Sequence, residues 1–380
     1  MKYILSDNGL HLRFAPFTLT RPLGTVRMGI MTNEERICLF DASAEVLFQT
    51  EDYLTAKFPS GEDHEAAVTI NAQVILSENL MNVISLLKEG EMLVKDGLWI
   101  ARNGTEKQRE VNFSGELLFI SQRWDLYQKN HIALLSDFSW LTKDRISQPV
   151  SDTNTIIGDR ALVFLEEGAS VEACILNTKT GPVYVGKNAE LMEGSVVRGG
   201  LALGEGAGLK LATKVYGATT LGPHCKVGGE VNNVVFQAYS NKGHDGFLGN
   251  AVIGEWCNLG ADTNSSNLKN NYSNVAAYSY ETGKTEKTDV QFMGIMMGDH
   301  SKCGINTMFN TATVCGVSCN IYGGDFPPKY TPSFSWGGAD GFERFDLEKA
   351  IQAAQAMMSR RNVAFTEGDR RIFEKLFAES

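Results

Sequence analysis

From Val185 to Val227 an aliphatic residue returns at every sixth position: Val185, Leu191, Val197, Leu203, Leu209, Val215, Leu221 and Val227. Four residues after each stands a mostly small one: Ala189, Ser195, Leu201, Ala207, Thr213, Thr219, Cys225 and Val231. The pattern returns at Phe247, Ile253 and Leu259, and again at Met297, Cys303, Phe309, Cys315 and Ile321. A period of six fits neither a helix nor a simple alternating strand. It is the period of a hexapeptide solenoid, a parallel β-helix in which three short strands make a coil of about eighteen residues. The aliphatic residue of each hexad points inward and stacks on its equivalents in neighbouring coils. The position four on also faces inward, near a corner with little volume. Gly186, Gly204, Gly222 and Gly228, each following an aliphatic residue, suit the turn that ends a strand. With weaker hexads at Ile157, Leu165 and Val171 the chain holds about nineteen hexads, or roughly six coils.

A chain of 380 residues allows two or more domains with ample core. A net charge of −10 argues against nucleic acid or an anionic membrane as the main partner. No apolar run approaches the length of a membrane span, and the opening MKYILSDNG has no apolar stretch of the signal-peptide kind. The expectation is a soluble, cytoplasmic protein. Of the seven cysteines, Cys225, Cys257 and Cys319 fall on the small four-on position, while Cys303 and Cys315 fall on the aliphatic one. Their spacing follows from the solenoid, with cysteine acting as a small hydrophobe rather than a metal ligand or disulfide partner. Cys38 and Cys174 give no pattern.

Residues 1–145 carry no hexads and mix strand-like runs (KYIL, ICLF, VTINAQVIL, ELLFI) with helix-like ones (ENLMNVISLLKEG, QRWDLYQKNHIALL), which suggests an α/β domain with a partly parallel sheet. The solenoid is expected over 156–325. Residues 326–380 hold a Pro- and aromatic-rich segment and two helices, FDLEKAIQAAQAMMSRR and TEGDRRIFEKLFAE, the first with the apolar spacing of a surface helix. The solenoid is interrupted twice. Residues 234–246 keep hydrophobic spacing but lose the register, and 264–290 form a long polar loop of the kind that usually serves function.

The segment SNKGHDGFLGNAVIGEWCNLGADTNSSNLKNNY resembles the acetyltransferase half of the bifunctional N-acetylglucosamine-1-phosphate uridylyltransferase/glucosamine-1-phosphate acetyltransferase family. The resemblance implies a left-handed β-helix, acetyl-CoA as co-substrate and a homotrimer, with sites between adjacent solenoids. In that family a loop histidine is the catalytic base. The matching residue is His244, and a histidine, titrating near neutral pH, can take the proton that an ammonium must lose before it attacks a thioester. Asn258 and Asn267 match asparagines that orient substrate; as residues alone, they read equally well as turn asparagines at solenoid corners. Lys242 and Lys269 are further substrate-binding candidates, and Ala261 falls where the family's backbone meets the thioester end of acetyl-CoA. The 264–290 loop would close over sugar or pantetheine. Two departures stand out. Phe247 replaces a tyrosine three residues after the histidine, and Ser273 stands near where a lysine is usual.

The front of the chain is similar to the nucleotidyltransferase half. Arg13, Pro16, Thr18, Arg21 and Pro22 resemble its nucleotide-binding pattern, with Arg13 and Arg21 as the candidate nucleotide contacts. The phosphate-cradling glycines are gone, and Leu23 stands where lysine is expected. Asn71-Ala72-Gln73 replaces an Asn-Gly-Asp whose aspartate binds magnesium. Magnesium would be needed only if this reduced domain were active. No metal site is assigned: His224, His244 and His300 are spaced poorly for the zinc site of some hexapeptide proteins. The resulting expectation is an acetyl-CoA-dependent N-acetyltransferase acting on an amino-sugar phosphate or a nucleotide sugar. A sugar-1-phosphate nucleotidyltransferase and a non-catalytic subunit that binds a nucleotide sugar are the alternatives.

Overall fold

The computed structural model describes residues 1–61 and 67–380. The hexads wind into a parallel solenoid with three ladder faces. The first face runs from Val163–Leu165 through Val183–Val185, Leu201–Leu203 and Thr219–Leu221 to Tyr330–Thr331. The second runs from Ser170–Val171 to Ser335–Gly338, and the third from Thr155–Ile157 to Met308–Phe309. Each inward residue sits on its equivalent one coil away, as in the series Val185, Leu203, Leu221, Phe236, Ile253, Met297 and Cys315. All of these are fully buried, and each contributes roughly 1.5–3 kcal/mol by leaving water. The four-on residue has a polar task where it is a threonine. The hydroxyls of Thr213, Thr263 and Thr307 donate to the carbonyls of Lys210, Gly260 and Gly304 at 2.6, 2.7 and 2.9 Å, satisfying corner groups that no strand pairs. Cys225, Cys257 and Cys319 fill the same slots as buried free thiols. Gly222 is required by coil stacking, because a Cβ there would collide with the carbonyl oxygen of Gln237.

The first face holds nine strands among the described residues, more than the roughly six coils expected. The register break accounts for part of the difference. Glu230–Phe236 and Phe247–Ile253 each run without a turn from the third face to the first, so their corners are shorter than a full hexad. Val231 therefore pairs with Val215 and Leu248 in the inward column instead of taking a four-on position. Leu248, not Phe247, is the inward residue of its coil; likewise Ile156, not Ile157, packs on the core at the first coil.

The N-terminal domain is a mixed sheet in the order Glu45–Gln49, Lys2–Ser6, Val68–Asn71, Leu98–Asn103, Glu91–Lys95, Arg109–Asn112, with its first three strands parallel. ICLF is not a strand. It belongs to the helix Asn33–Phe40, which a capping box between Thr32 and Glu35 nucleates against local β preference.

This domain lies on the outer side of the first solenoid face. Val235, Val252, Met296 and Val314 point away from the solenoid axis into the same core as Leu5, Phe14, Phe17 and Leu80. Face burial on both sides explains why VVF (234–236), AVI (251–253) and IMM (295–297) are continuously apolar rather than alternating. Polar contacts fix the docking: Gln237 accepts from the Arg27 amide at 2.6 Å and donates to its carbonyl at 3.1 Å. The C-terminal helices Leu347–Ser359 and Glu367–Glu379 start on side-chain caps from Asp346 and Thr366. They close over the corner between the first and second faces. There His224, Tyr239, Trp256 and His300 stack on successive coils, each at positive φ, and Phe373 of the last helix meets the ring of His300 edge-on. Among the described residues no helix is long and apolar enough to cross a membrane.

Candidate functional site

His244 stands on the corner between the second and third faces. Its coil departs from the hexad rule in two linked ways. The inward aliphatic slot, held by Val227 one coil below and Leu259 one coil above, is occupied by Lys242, and the four-on slot by Gly246 instead of a threonine. Lys242 is only 1% exposed, and its ammonium donates to the carbonyls of Gly228, His244 and Asp245 at 3.1, 2.9 and 3.2 Å. The lysine replaces the missing hydroxyl and ties the corner from inside. Burial draws the ammonium down to about 8, and the nearby Asp245 and Asp262 oppose that fall. Gly246 takes a φ of +112°, and a Cβ there would strike the carbonyl oxygen of Thr263.

The imidazole of His244 is exposed and has no hydrogen-bond partner among the described residues. The next coil stacks directly on this corner: the Asp262 amide donates to the Asp245 carbonyl at 3.1 Å, and the Ala261 carbonyl accepts from Asn306 at 2.8 Å. His244 and Ala261 thus lie on one edge in adjacent coils, and the Ala261 amide meets no protein acceptor among the described residues. Asn258 pairs with Asn241 and Lys302 on the second face, three residues before Ala261, with an exposed side chain free of protein hydrogen bonds among the described residues.

Asn267 is elsewhere on the coil, at the corner between the third and first faces. Its amide donates to Asn250 at 2.7 Å, and Asn233, with its amide turned to suit its neighbours, continues the row at 3.1 Å. This is the corner-capping arrangement that the residue type alone allowed. The ring of Phe247 and the amide of Asn267 close on Gly249, where a Cβ would touch both. Phe247 therefore lies on the outer third face beside the His244 corner.

Lys269 lies at the root of the long insertion, donating to the Asn274 carbonyl at 2.8 Å. The insertion does not close over His244. Its hairpin, Ala276–Ser279 with Lys284–Lys287, turns to the N-terminal domain, where Val275, Ala277, Val290 and Met293 enter the shared core. Arg13 meets Glu281 of that hairpin with a bidentate pair at 3.0–3.2 Å.

Arg21 is buried, with its guanidinium held by Glu255 and Asp299 of the solenoid, so it clamps the two domains instead of facing a nucleotide. Lys242 likewise has no donor left for a substrate. The residues present do not fit a magnesium ion. Asn71 and Gln73 are buried, with their amides spent on the carbonyls of Trp99 and Ile120 at 3.2 and 3.0 Å. Asp7, which follows the strand Lys2–Ser6, accepts from Leu23 and Thr50, and burial pushes its carboxyl up to about 7. His224 and His300 belong to the aromatic stack and His244 to a different corner. Among the described residues no three histidine, cysteine or acidic side chains are grouped to hold a metal ion.

Sequence reasoning missed the wall that faces Lys269. Phe326, Asn310 and Thr311 line an open cleft of about 480 Å³ with it, and Lys329 reaches Thr311 at 3.3 Å. Phe326 and Lys329 lie in the Pro-rich segment, outside the repeat, and Asn310 and Thr311 follow the inward Phe309 at a corner for which the hexad rule specifies no residue type.

The architecture is a parallel β-solenoid with an α/β domain fused along one face. A family model described as sugar nucleotidyl transferase matches residues 3–146. No curated protein matches the chain. Among solved structures it is similar to the polySia-specific acetyltransferase NeuO, at 11% identity over 55% of this chain and 100% of that one, with a TM-score of 0.32. It is also similar to an Arabidopsis UDP-N-acetylglucosamine acyltransferase, at 13% identity over 56% of this chain and 80% of that one, with a TM-score of 0.27. A third is the polysialic acid O-acetyltransferase OatWY, at 12% identity over 57% and 88%, with a TM-score of 0.21.

Proposed function

We propose that this protein is a hexapeptide-type acyltransferase that moves an acetyl group from acetyl-CoA to the amine of an amino-sugar phosphate or nucleotide sugar. The observation that carries the reading is the His244 corner: an exposed imidazole with no protein partner among the described residues, on a backbone held from inside by a buried lysine. A base needs both properties, a free nitrogen and a fixed position. In the proposed step His244 takes a proton from the amine as the nitrogen attacks the thioester carbonyl. The carbon–sulfur bond then breaks, and the proton passes to the departing CoA sulfur. The amide of Ala261, one coil above, would donate to the carbonyl oxygen as it gains charge. Asn258, on the neighbouring face, would orient the incoming amine.

The sugar class is supported by the family model over residues 3–146. Nucleotidyl transfer is not part of the proposal, because Leu23 and Gln73 are buried at the positions where that chemistry needs a lysine and a carboxylate. Assembly as a homotrimer in the cytoplasm belongs to the same proposal, with the neighbouring solenoid completing a cleft along the His244 edge.

Thiol release from acetyl-CoA, measured with glucosamine 1-phosphate and UDP-amino sugars as acceptors, tests the reading. Acceptor-dependent release is expected. Pyrophosphate release from nucleoside triphosphates and sugar 1-phosphates, without any thiol release, would replace the proposal with nucleotidyl transfer.

A further inference from the structure

The cleft at the far edge of the third face has a composition that the account so far does not use. Lys269 lines it from the root of the insertion, and Lys329, from the Pro-rich segment, donates to the hydroxyl of Thr311 in its wall at 3.3 Å. Neither ammonium has a carboxylate within ion-pair distance among the described residues. Lys269 donates only to a carbonyl and a hydroxyl, and Lys329 only to the Thr311 hydroxyl. The lining also holds the neutral side chains of Ser266, Asn310 and Thr311 and the ring of Phe326, which is 47% exposed.

The Lys329 ammonium is drawn down by burial and by the neighbouring charge of Lys269. Two like charges brought together without an internal counter-ion invite an external anion. Lysine serves phosphate well as a point charge. Amide and hydroxyl groups match sugar hydroxyls, and an exposed aromatic ring offers an apolar surface to a sugar's carbon face.

We infer that the Lys269–Lys329 cleft binds a phosphorylated sugar, with the phosphate between the two ammonium groups and the ring against Phe326. The cleft and the His244 corner stand at opposite edges of the third face, so this site goes beyond the acyl-transfer reading and does not rest on it.

Calorimetric titration of the full chain with glucose 1-phosphate, inorganic phosphate and glucose tests it. Glucose 1-phosphate should bind saturably, phosphate more weakly, and glucose not at all. Lys269→Met and Lys329→Met should each weaken glucose 1-phosphate binding by about tenfold or more, the loss of one charge-assisted hydrogen bond. Phe326→Ala should weaken the sugar phosphate but leave phosphate unchanged. No binding of any probe, or binding that survives both lysine variants, overturns the cleft; phosphate binding as tightly as the sugar phosphate overturns the sugar assignment. The His244→Ala variant should bind glucose 1-phosphate normally. If that variant also keeps full acyl transfer while the lysine variants lose binding, the acyl-transfer reading fails and the cleft stands.

Discussion

The side-chain nitrogen of Lys242 lies 2.9 Å from the carbonyl oxygen of His244, so the proposed base is held by a cation buried in a column that is otherwise aliphatic at its neighbouring coils. Methionine at 242 would refill the column and release the corner. Lys242→Met should cost about 1–3 kcal/mol, from the Gly228 and His244 carbonyls left without a donor. It should also lower kcat for acyl transfer more than it raises KM, because the acceptor contacts lie elsewhere. Denaturant unfolding and steady-state kinetics measure the two. Wild-type values for both would show that the lysine does not hold the corner.

Arg21 joins the N-terminal domain to Glu255 and Asp299 of the solenoid in a buried cluster. Removing one member of such a cluster leaves charge unpaired in the interior. Arg21→Met should destabilise the protein by about 3–5 kcal/mol and expose the interface to limited proteolysis. A variant with unchanged stability and the wild-type digestion pattern would remove the clamp from the account.

Asp7 gives a pH dependence with a definite sign. Burial raises its carboxyl from 3.8 to about 7, against the opposing hydrogen bonds from Thr50 and Leu23 and with a smaller push from Glu51. Between those values the folded protein keeps a proton that the unfolded chain has released, so this contribution to stability falls as pH rises through about 7. Its full size is of order 4 kcal/mol. Asp7→Asn should flatten the stability profile between pH 5 and 8 and gain relative to wild type at the upper end. An unchanged slope in urea unfolding at the two pH values would place the titration elsewhere.

The inward column was legible because every coil repeats one demand: an aliphatic residue on the axis every six positions. The register failed where corners shorten. Val231 stands four after Val227 and Phe247 six before Ile253, yet the strands Glu230–Phe236 and Phe247–Ile253 pass their corners without a turn. Lys242, a substrate-binding candidate by sequence, turns inward because the carbonyls of Gly228, His244 and Asp245 supply acceptors that no residue pattern reveals. The docking of the N-terminal domain has a readable sign in VVF, AVI and IMM, which have no polar outer position. ICLF read as a strand because its apolar run outweighed the Thr32–Glu35 cap. His244 and Ala261 are legible only through a family resemblance, and the fold brings both to one edge. Lys329, which meets the Lys269 cleft through Thr311, lies sixty residues from Lys269 in sequence and belongs to no motif.

The most direct test of the central claim is the rate of acceptor-dependent thiol release from acetyl-CoA by His244→Ala, beside wild type and at matched unfolding stability. The account predicts a fall of about a hundredfold or more, the contribution of a positioned base. A folded His244→Ala protein that releases thiol at the wild-type rate would contradict it.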